Sequence, residues 1–217
     1  MPFEYESLVG YLYVVGGRSI SQPPPGALVE MSPRRAARGR EADTFYALVT
    51  PSGESTAAAE FYATLARDAA AHYFDGSGSV TSGIRAAIIM LNERLHEQNQ
   101  REGKLLEASM ICGVLRGSDL FLGKVGGAVI LLQKDGITQV FPTNPEDDDQ
   151  VFTPPLGVQP IPDVRMSRHV VGVHTRMVFA DAALLEYPLD ASGSALGAED
   201  IGAALASCAS WSSVPSP

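Results

Sequence analysis

Apolar residues recur along this chain with two different spacings, and each spacing predicts one kind of element. Between about residues 55 and 103 they return every three or four positions, as they do on one face of an amphipathic helix. Phe61 and Tyr73 lie on the first such face, and Ile84 and Leu91 lie on the second. Because Gly76 and Gly78 interrupt the pattern, we expect two helices, the first capped by Ser52 or Ser55 and the second beginning near Thr81.

Before and after these helices, short apolar runs end at glycine, proline or aspartate, as strands do. Turn signals at residues 117–119 and 135–136 join the middle runs into an antiparallel meander. The predicted strands cover residues 8–15, 27–31, 43–50, 108–117, 118–126, 128–134, 137–142, 164–171 and 176–181, and a closing helix covers 198–208. Strands that pair with their sequence neighbours, with helices grouped apart, predict an α+β fold. We expect a single domain over residues 1–209 and a disordered tail at 210–217.

Composition narrows the classes of partner. The chain has 217 residues, a formal net charge of -9 and a sequence pI near 4.9. An acidic chain repels phosphate backbones and anionic lipid, so we expect neither nucleic acid nor a membrane surface as partner. The N-terminus lacks the basic start of a signal peptide, and no apolar run reaches the roughly 20 residues of a membrane span. We therefore expect a cytoplasmic protein with reduced cysteines, Cys112 and Cys208.

Most catalytic motifs receive no support. The glycines of GKVGG, at residues 123–127, stand between two predicted strands, whereas a dinucleotide-binding loop needs a helix after the turn. Met1-Pro2 lacks the free Thr, Ser or Cys that an N-terminal nucleophile hydrolase requires. The acidic loop at residues 142–150 and the basic run at residues 33–40 are interpreted as solvated segments, not as calcium or phosphate sites.

Taken in order, however, several short strings between about residues 34 and 206 resemble the type 2C metal-dependent Ser/Thr protein phosphatases. The resemblance implies a four-layer αββα sandwich, in which two mainly antiparallel sheets are flanked by helices. In RGREAD, Arg38 matches the family's phosphate-binding arginine and Asp43 matches the last acid of its first motif, while Ala42 stands where a metal-binding Glu belongs. In RMVFADAAL, Asp181 matches a metal-binding Asp.

Other family acids have no counterpart. The strand ending in ALVTPSG carries Thr50 or Pro51 where the family has the Asp that bridges its two metals. Val-Gly-Asp-Ser in the family's meander matches VGGA here, so Gly127 replaces an acid and Ala128 replaces a hydroxyl. The family's closing strand, with its Asp-Asn pair, is not found either.

These departures predict that the Mn²⁺ or Mg²⁺ pair is lost, since hard divalent ions need several carboxylate oxygens. We therefore expect no cofactor, no metal and no catalytic residue, and interpret the chain as a pseudophosphatase. It would recognise a protein partner, a phosphoprotein or a kinase among the candidates, with Arg38 contacting phosphate. An exposed sheet edge left by the missing strand also invites a homodimer. The alternative is an active phosphatase whose metal site is rebuilt from Asp43, Glu54, Asp181 and the acids at 146–149.

Overall fold

Two antiparallel sheets form the centre of the molecule. The computed structural model describes residues 5–141, 153–186 and 189–211. A five-stranded sheet has the order β3-β4-β5-β6-β9, and a three-stranded sheet has the order β10-β7-β8. The strands are β1 (Tyr13–Val15), β2 (Arg18–Ile20), β3 (Ala27–Met31), β4 (Asp43–Ser52), β5 (Glu107–Arg116), β6 (Asp119–Val125), β7 (Val129–Lys134), β8 (Ile137–Phe141), β9 (Arg165–Val170) and β10 (Arg176–Ala180).

Helices cover the outer face of each sheet. The helices are α1 (Ala59–Asp75), α2 (Val80–Glu102), α3 (Leu189–Leu196) and α4 (Ile201–Trp211), with a 3₁₀ helix at Ala182–Glu186. α1 and α2 pack on the large sheet, where Phe45, Met110 and Ile88 belong to one buried apolar cluster. α3 lies over the small sheet, since the Gln133 side chain donates to the carbonyl of Gly193.

A second apolar cluster lies between the two sheets and joins them. Ile111 and Leu122 of the large sheet pack in it with Ile130 and Leu132 of the small sheet, and all four are at most 6 % exposed. Alternation along β6 produces this arrangement, because Leu122 faces the small sheet while Gly123 faces α2. The order of layers is helices, sheet, sheet, helices, and the predicted αββα sandwich is confirmed.

Several element boundaries differ from the predictions. The run at 8–15 pairs only over β1, in a small hairpin with β2, which was not predicted. Ser52 and Ser55 do not cap α1, whose N-cap is Ala58, whereas the second helix begins one residue early and is capped by Ser79. The closing helix runs over Ile201–Trp211, and α3 precedes it unpredicted. The acidic loop at 142–150 and the end of the tail, 212–217, lie outside the described residues.

The small sheet ends at β8 on one side and at β10 on the other within the described part of the chain. Each of these strands therefore has one strand neighbour. The homodimer expected at such an edge stays a prediction. No helix among the described residues is both long enough and apolar enough to cross a membrane.

Candidate functional site

A pocket of about 400 Å³ opens where strands of both sheets end together. Four of its lining residues carry hydroxyl groups and two carry carboxylates. The hydroxyls belong to Thr50, Ser52, Ser109 and Thr153, and the carboxylates belong to Glu107 and Asp181. Proline, glycine and alanine residues complete the wall. The pocket is therefore rich in hydrogen-bond acceptors, and its formal charge at neutral pH is negative.

Strand pairing brings these side chains together. In the large sheet, Thr50 of β4 lies opposite Ser109 of β5, and Ser52 lies opposite Glu107. In the small sheet, β10 ends at Ala180 opposite the first residue of β7, so Asp181 comes out beside the turn that precedes β7. Glu107 and Asp181 thus enter the pocket from the two facing sheets, whose backbones pack about 10 Å apart.

The turn at Gly126-Gly127 forms one wall of the pocket, and its backbone donors are already bound. Gly126 has a φ of 78°, a conformation that favours glycine, and a Cβ there would lie 2.4 Å from the Ser109 hydroxyl. The amide of Gly126 donates to the Thr153 hydroxyl at 3.1 Å, and the amide of Gly127 donates to the Ser109 hydroxyl at 3.0 Å. This turn therefore presents no vacant N–H group for an anion.

The two carboxylates differ in their partners. Asp181 is exposed, and one of its oxygens accepts the amide of Ala183 at 3.0 Å. Glu107 is half-buried and lies under Gly53, where an added Cβ would meet its carboxylate at 2.6 Å. Glu54, one residue further on, is exposed and does not line the pocket. Within the described ranges, no three His, Cys, Asp or Glu side chains lie close enough together to hold a metal ion.

Asp43 lies at the opposite end of β4 from this pocket. Seven residues separate it from Thr50, a distance of roughly 23 Å along an extended strand. Its buried carboxylate accepts two hydrogen bonds of 2.6 Å from Arg116 and one of 2.6 Å from the Tyr73 hydroxyl. The structure thus places Asp43 in an ion-paired cluster, apart from Asp181.

Arg40 completes that cluster from inside the protein. Its guanidinium is fully buried, 3.8 Å from an Asp43 oxygen, and donates to the Tyr73 hydroxyl at 2.6 Å. Gly83 of α2 makes the space, because a Cβ there would lie 2.4 Å from an Arg40 nitrogen. Burial, together with the hydrogen bond to Asp43, raises the pKa of Tyr73.

Arg38 is exposed in the loop between β3 and β4, at the same end of the large sheet as this cluster. It is not part of the pocket, so the structure does not bring Arg38 together with Asp181. Lys124, near the pocket end of β6, is fully buried and does not line the pocket either. Burial, with the charge of Arg165 in support, lowers the pKa of Lys124 to about 8.

Several solved structures with a similar arrangement of sheets and helices are bacterial Ser/Thr phosphatases. PstP/Ppp from Mycobacterium tuberculosis matches with a TM-score of 0.63 and 17% identity, over 86% of this chain and 92% of that one. The fold is that of the type 2C Ser/Thr phosphatases.

Two further structures agree with that identification of the fold. Stp1 from Staphylococcus aureus matches with a TM-score of 0.64 and 11% identity, over 96% of this chain and 94% of that one. PppA, a key regulatory component of T6SS in Pseudomonas aeruginosa, matches with a TM-score of 0.63 and 12% identity, over 87% and 84% of the two chains. No family model matches the sequence, and none of the curated proteins is significantly similar to it.

The pocket brings together three of the positions that the sequence resemblance aligned with acids of the phosphatase family. They are occupied here by Thr50 or Pro51, by Gly127 and by Asp181, and all of these residues line the pocket. The PstP catalytic domain is known in complex with two manganese ions. The donors described in this pocket do not fit such a pair, because two carboxylates and neutral hydroxyls supply too little negative charge for two hard divalent cations.

Proposed function

We propose that this domain uses the type 2C phosphatase fold for binding a protein partner and does not catalyse hydrolysis. One observation carries the proposal. At the three pocket positions that the resemblance aligns with acids of the phosphatase family, this chain has one carboxylate, that of Asp181, whereas Thr50 or Pro51 at the second position and Gly127 at the third carry none.

The physical reason lies in how such enzymes activate water. A pair of divalent ions lowers the pKa of bound water and stabilises both the attacking and the leaving oxygen. Without such ions the pKa of water stays far above neutral, so water is a poor nucleophile at neutral pH. The polar groups of Ser109 and Thr153 hold the Gly-Gly turn, so they offer no evident substitute for a metal-bound hydroxide.

The proposal is tested by the response of the purified domain to Mn²⁺. We expect no Mn²⁺-dependent hydrolysis of p-nitrophenyl phosphate and no Mn²⁺ retained after desalting. We also expect the double variant Thr50→Asp/Gly127→Asp to bind Mn²⁺ at least about tenfold more tightly than the natural chain, because it returns two carboxylates to the pocket. A second variant, Asp181→Asn, removes the carboxylate that the pocket already has. Its matched control is Asp75→Asn, which removes an exposed acid at the end of α1.

Hydrolysis by the natural chain that requires Mn²⁺ and disappears in Asp181→Asn but not in Asp75→Asn would overturn the proposal. It would identify an active phosphatase with a rebuilt metal site. Asp43 would not take part in such a site, since its carboxylate is bound to Arg116 and Tyr73 at the far end of β4.

Recognition of phosphate by Arg38 stays a separate prediction. A phosphoserine peptide should bind the natural chain more tightly than Arg38→Ala if Arg38 contacts the phosphate. Equal binding by the two proteins would remove Arg38 from the account.

A further inference from the structure

The loop between β3 and β4 carries three exposed arginines on two successive tight turns. The turn at 33–36 has Arg34 and Arg35 as its central residues, and a backbone hydrogen bond of 2.9 Å closes it. The turn at 37–40 has Arg38 as its second residue and is closed at 3.0 Å. All three arginines are exposed, so the loop presents its positive charge to solvent.

The guanidinium groups of these arginines are not neutralised by the protein itself. Within the described ranges, none of Arg34, Arg35 and Arg38 forms an ion pair. The whole chain has 25 acidic residues against 16 lysines and arginines, so three arginines within five residues depart from its average charge. Each guanidinium keeps its five N–H donors available for an outside acceptor.

The backbone under the arginines is fixed by buried groups. The amide of Ala37 donates to the carbonyl of Phe74 at 2.7 Å, and Arg116 donates to the carbonyl of Gly39 at 2.6 Å. Between these contacts the side chain of Arg40 is fully buried. A partner that binds here therefore meets an ordered backbone and restricts only the arginine side chains, which lowers the entropic cost of binding.

The start of α2 adds positive potential at the same place. The Arg40 guanidinium donates to the carbonyl of Ser79, the N-cap of α2, at 3.0 Å, so the loop and the helix start lie together. α2 has 23 residues and no acid in its first turn, so nothing there offsets the positive end of its dipole. Arg85, further along α2, is exposed and also lacks an ion pair among the described residues. The exposed acids that oppose these charges are Glu41 and Asp75.

We propose that the basic surface formed by Arg34, Arg35, Arg38 and Arg85 binds an acidic segment of a protein partner. The inference rests on the proposed binding function and adds the chemistry of the partner. The basic surface lies at the opposite end of β4 from the pocket with the phosphatase positions, so the two are separate sites.

A run of carboxylates fits this surface better than other anions do. The arginines stand exposed on separate turns, so they suit several carboxylates spaced along a chain, each of which can accept two hydrogen bonds from one guanidinium. One phosphate group would reach only part of such a spread of donors. A nucleic acid would bring its long phosphate backbone against a protein whose net charge is -9.

The inference is tested with short probes and the isotope-labelled full chain, with binding followed by amide chemical shifts. The first probe is acetyl-Glu-Ser-Glu-Ser-Glu-Ser-amide. Its Gln and Lys analogues test charge, the Gln analogue with one phosphoserine tests a single phosphate, and a thymidine tetranucleotide tests a phosphate backbone.

A charge-matched pair of variants identifies the surface that binds. The loop variant is Arg34→Gln/Arg35→Gln/Arg38→Gln. The control removes three exposed arginines from α1 and α2, as Arg67→Gln/Arg94→Gln/Arg101→Gln. A third protein, Glu41→Gln, removes the acid of the loop while keeping an acceptor for the amide of Gly39, which Glu41 binds at 2.8 Å.

We expect the acidic peptide to shift the amides of Arg35, Arg38 and Gly39, and the Gln and Lys peptides to leave them in place. Its affinity should fall at least about fivefold in the loop variant, stay within about twofold in the control, and rise in Glu41→Gln. Added salt should weaken binding. The shift map of the natural chain needs no variant, so the test survives if the loop variant unfolds.

The inference is overturned if the acidic peptide causes no shifts, if the shifts lie away from the basic surface, or if the two triple variants lose affinity equally. Tighter binding of the phosphoserine peptide or of the tetranucleotide at this surface would also overturn it. The proposed non-catalytic function fails only if Mn²⁺-dependent hydrolysis is found, so the two failures are distinguishable.

Discussion

Replacing Asp43 should destabilise the fold by an amount that identifies its role as structural. The Asp43 carboxylate is buried and faces three donors, two from Arg116 and one from Tyr73. It is also the anion 3.8 Å from the fully buried guanidinium of Arg40. In Asp43→Asn the shape of the side chain is kept while the negative charge is lost, so Arg40 becomes a buried cation without a counter-ion.

The expected cost follows from that uncompensated charge. Removing one partner of a buried ion pair costs about 3–5 kcal/mol. Arg116 contributes less to this cost, because its side chain is 36% exposed and can turn toward solvent. We therefore expect Asp43→Asn to lower the free energy of unfolding by about 3–5 kcal/mol, and Arg116→Met to lower it by about 1–2 kcal/mol, the range of a partly exposed charge-assisted hydrogen bond.

Urea denaturation of a double-mutant cycle measures this effect. Arg40→Met/Asp43→Asn removes both charges, so its loss should be at least about 2 kcal/mol smaller than the sum of the two single losses. Strictly additive losses, or a loss below about 1 kcal/mol in Asp43→Asn, would refute the reasoning. The expected metal response is equally specific, since none of these variants should alter the behaviour of the protein toward Mn²⁺.

Three further predictions concern stability. Gly126→Ala should lower the free energy of unfolding by roughly 2–5 kcal/mol, since the new Cβ is placed on a left-handed backbone and overlaps Ser109 of the neighbouring strand. Gly136 also has a left-handed backbone, with a φ of 77°, but a Cβ there would have no atom within 4 Å, so Gly136→Ala should lower that free energy by only about 1–2 kcal/mol. Ser79→Ala should lose about 1 kcal/mol with the α2 N-cap, while Ser55→Ala, the unused cap, should stay within about 0.5 kcal/mol in the same urea titration. Burial raises the pKa of Cys112 above its ordinary value of 9.0, so the stabilising contribution of the thiol is complete below pH 9 and is lost as the thiol of the unfolded chain ionises. Above pH 9 the free energy of unfolding of the natural chain should therefore fall by about 1.4 kcal/mol per pH unit relative to that of Cys112→Ala. Parallel plots of this free energy against pH for the two proteins would contradict the prediction.

The pocket could be predicted in part because local patterns fix the ends of its strands. Gly53 ends β4 just after Ser52, glycines separate β6 from β7, and an apolar run ends at Asp181. Each position is set by a signal within a few residues. Their meeting in space follows from the fold, which the order of elements indicates.

Glu107 could not be found in this way. It follows α2 and resembles an ordinary solvent-exposed acid in the sequence. Only the register of β5 against β4, which places it opposite Ser52, brings it to the pocket. Register depends on pairing over ten residue pairs, and no short motif near Glu107 specifies it.

The separation of Asp43 from the pocket, in contrast, could have been predicted from the sequence. The predicted strand already began at residue 43 and ended near Thr50, and a strand of that length carries its two ends more than 20 Å apart, by about 3.3 Å per residue. The sequence therefore contained the signal that Asp43 and the ALVTPSG turn lie at opposite ends. The burial of Arg40 was harder to predict from the sequence, because it depends on the space that Gly83 leaves in α2 and on the hydroxyl of Tyr73.

Anomalous diffraction at the manganese edge, from crystals of the natural chain soaked in Mn²⁺, tests the central claim most directly. We expect no pair of manganese peaks in the pocket formed by Thr50, Gly127 and Asp181. Two peaks about 3.5–4 Å apart, with Asp181 as a ligand, would contradict it, since that spacing is typical of a two-metal hydrolytic site.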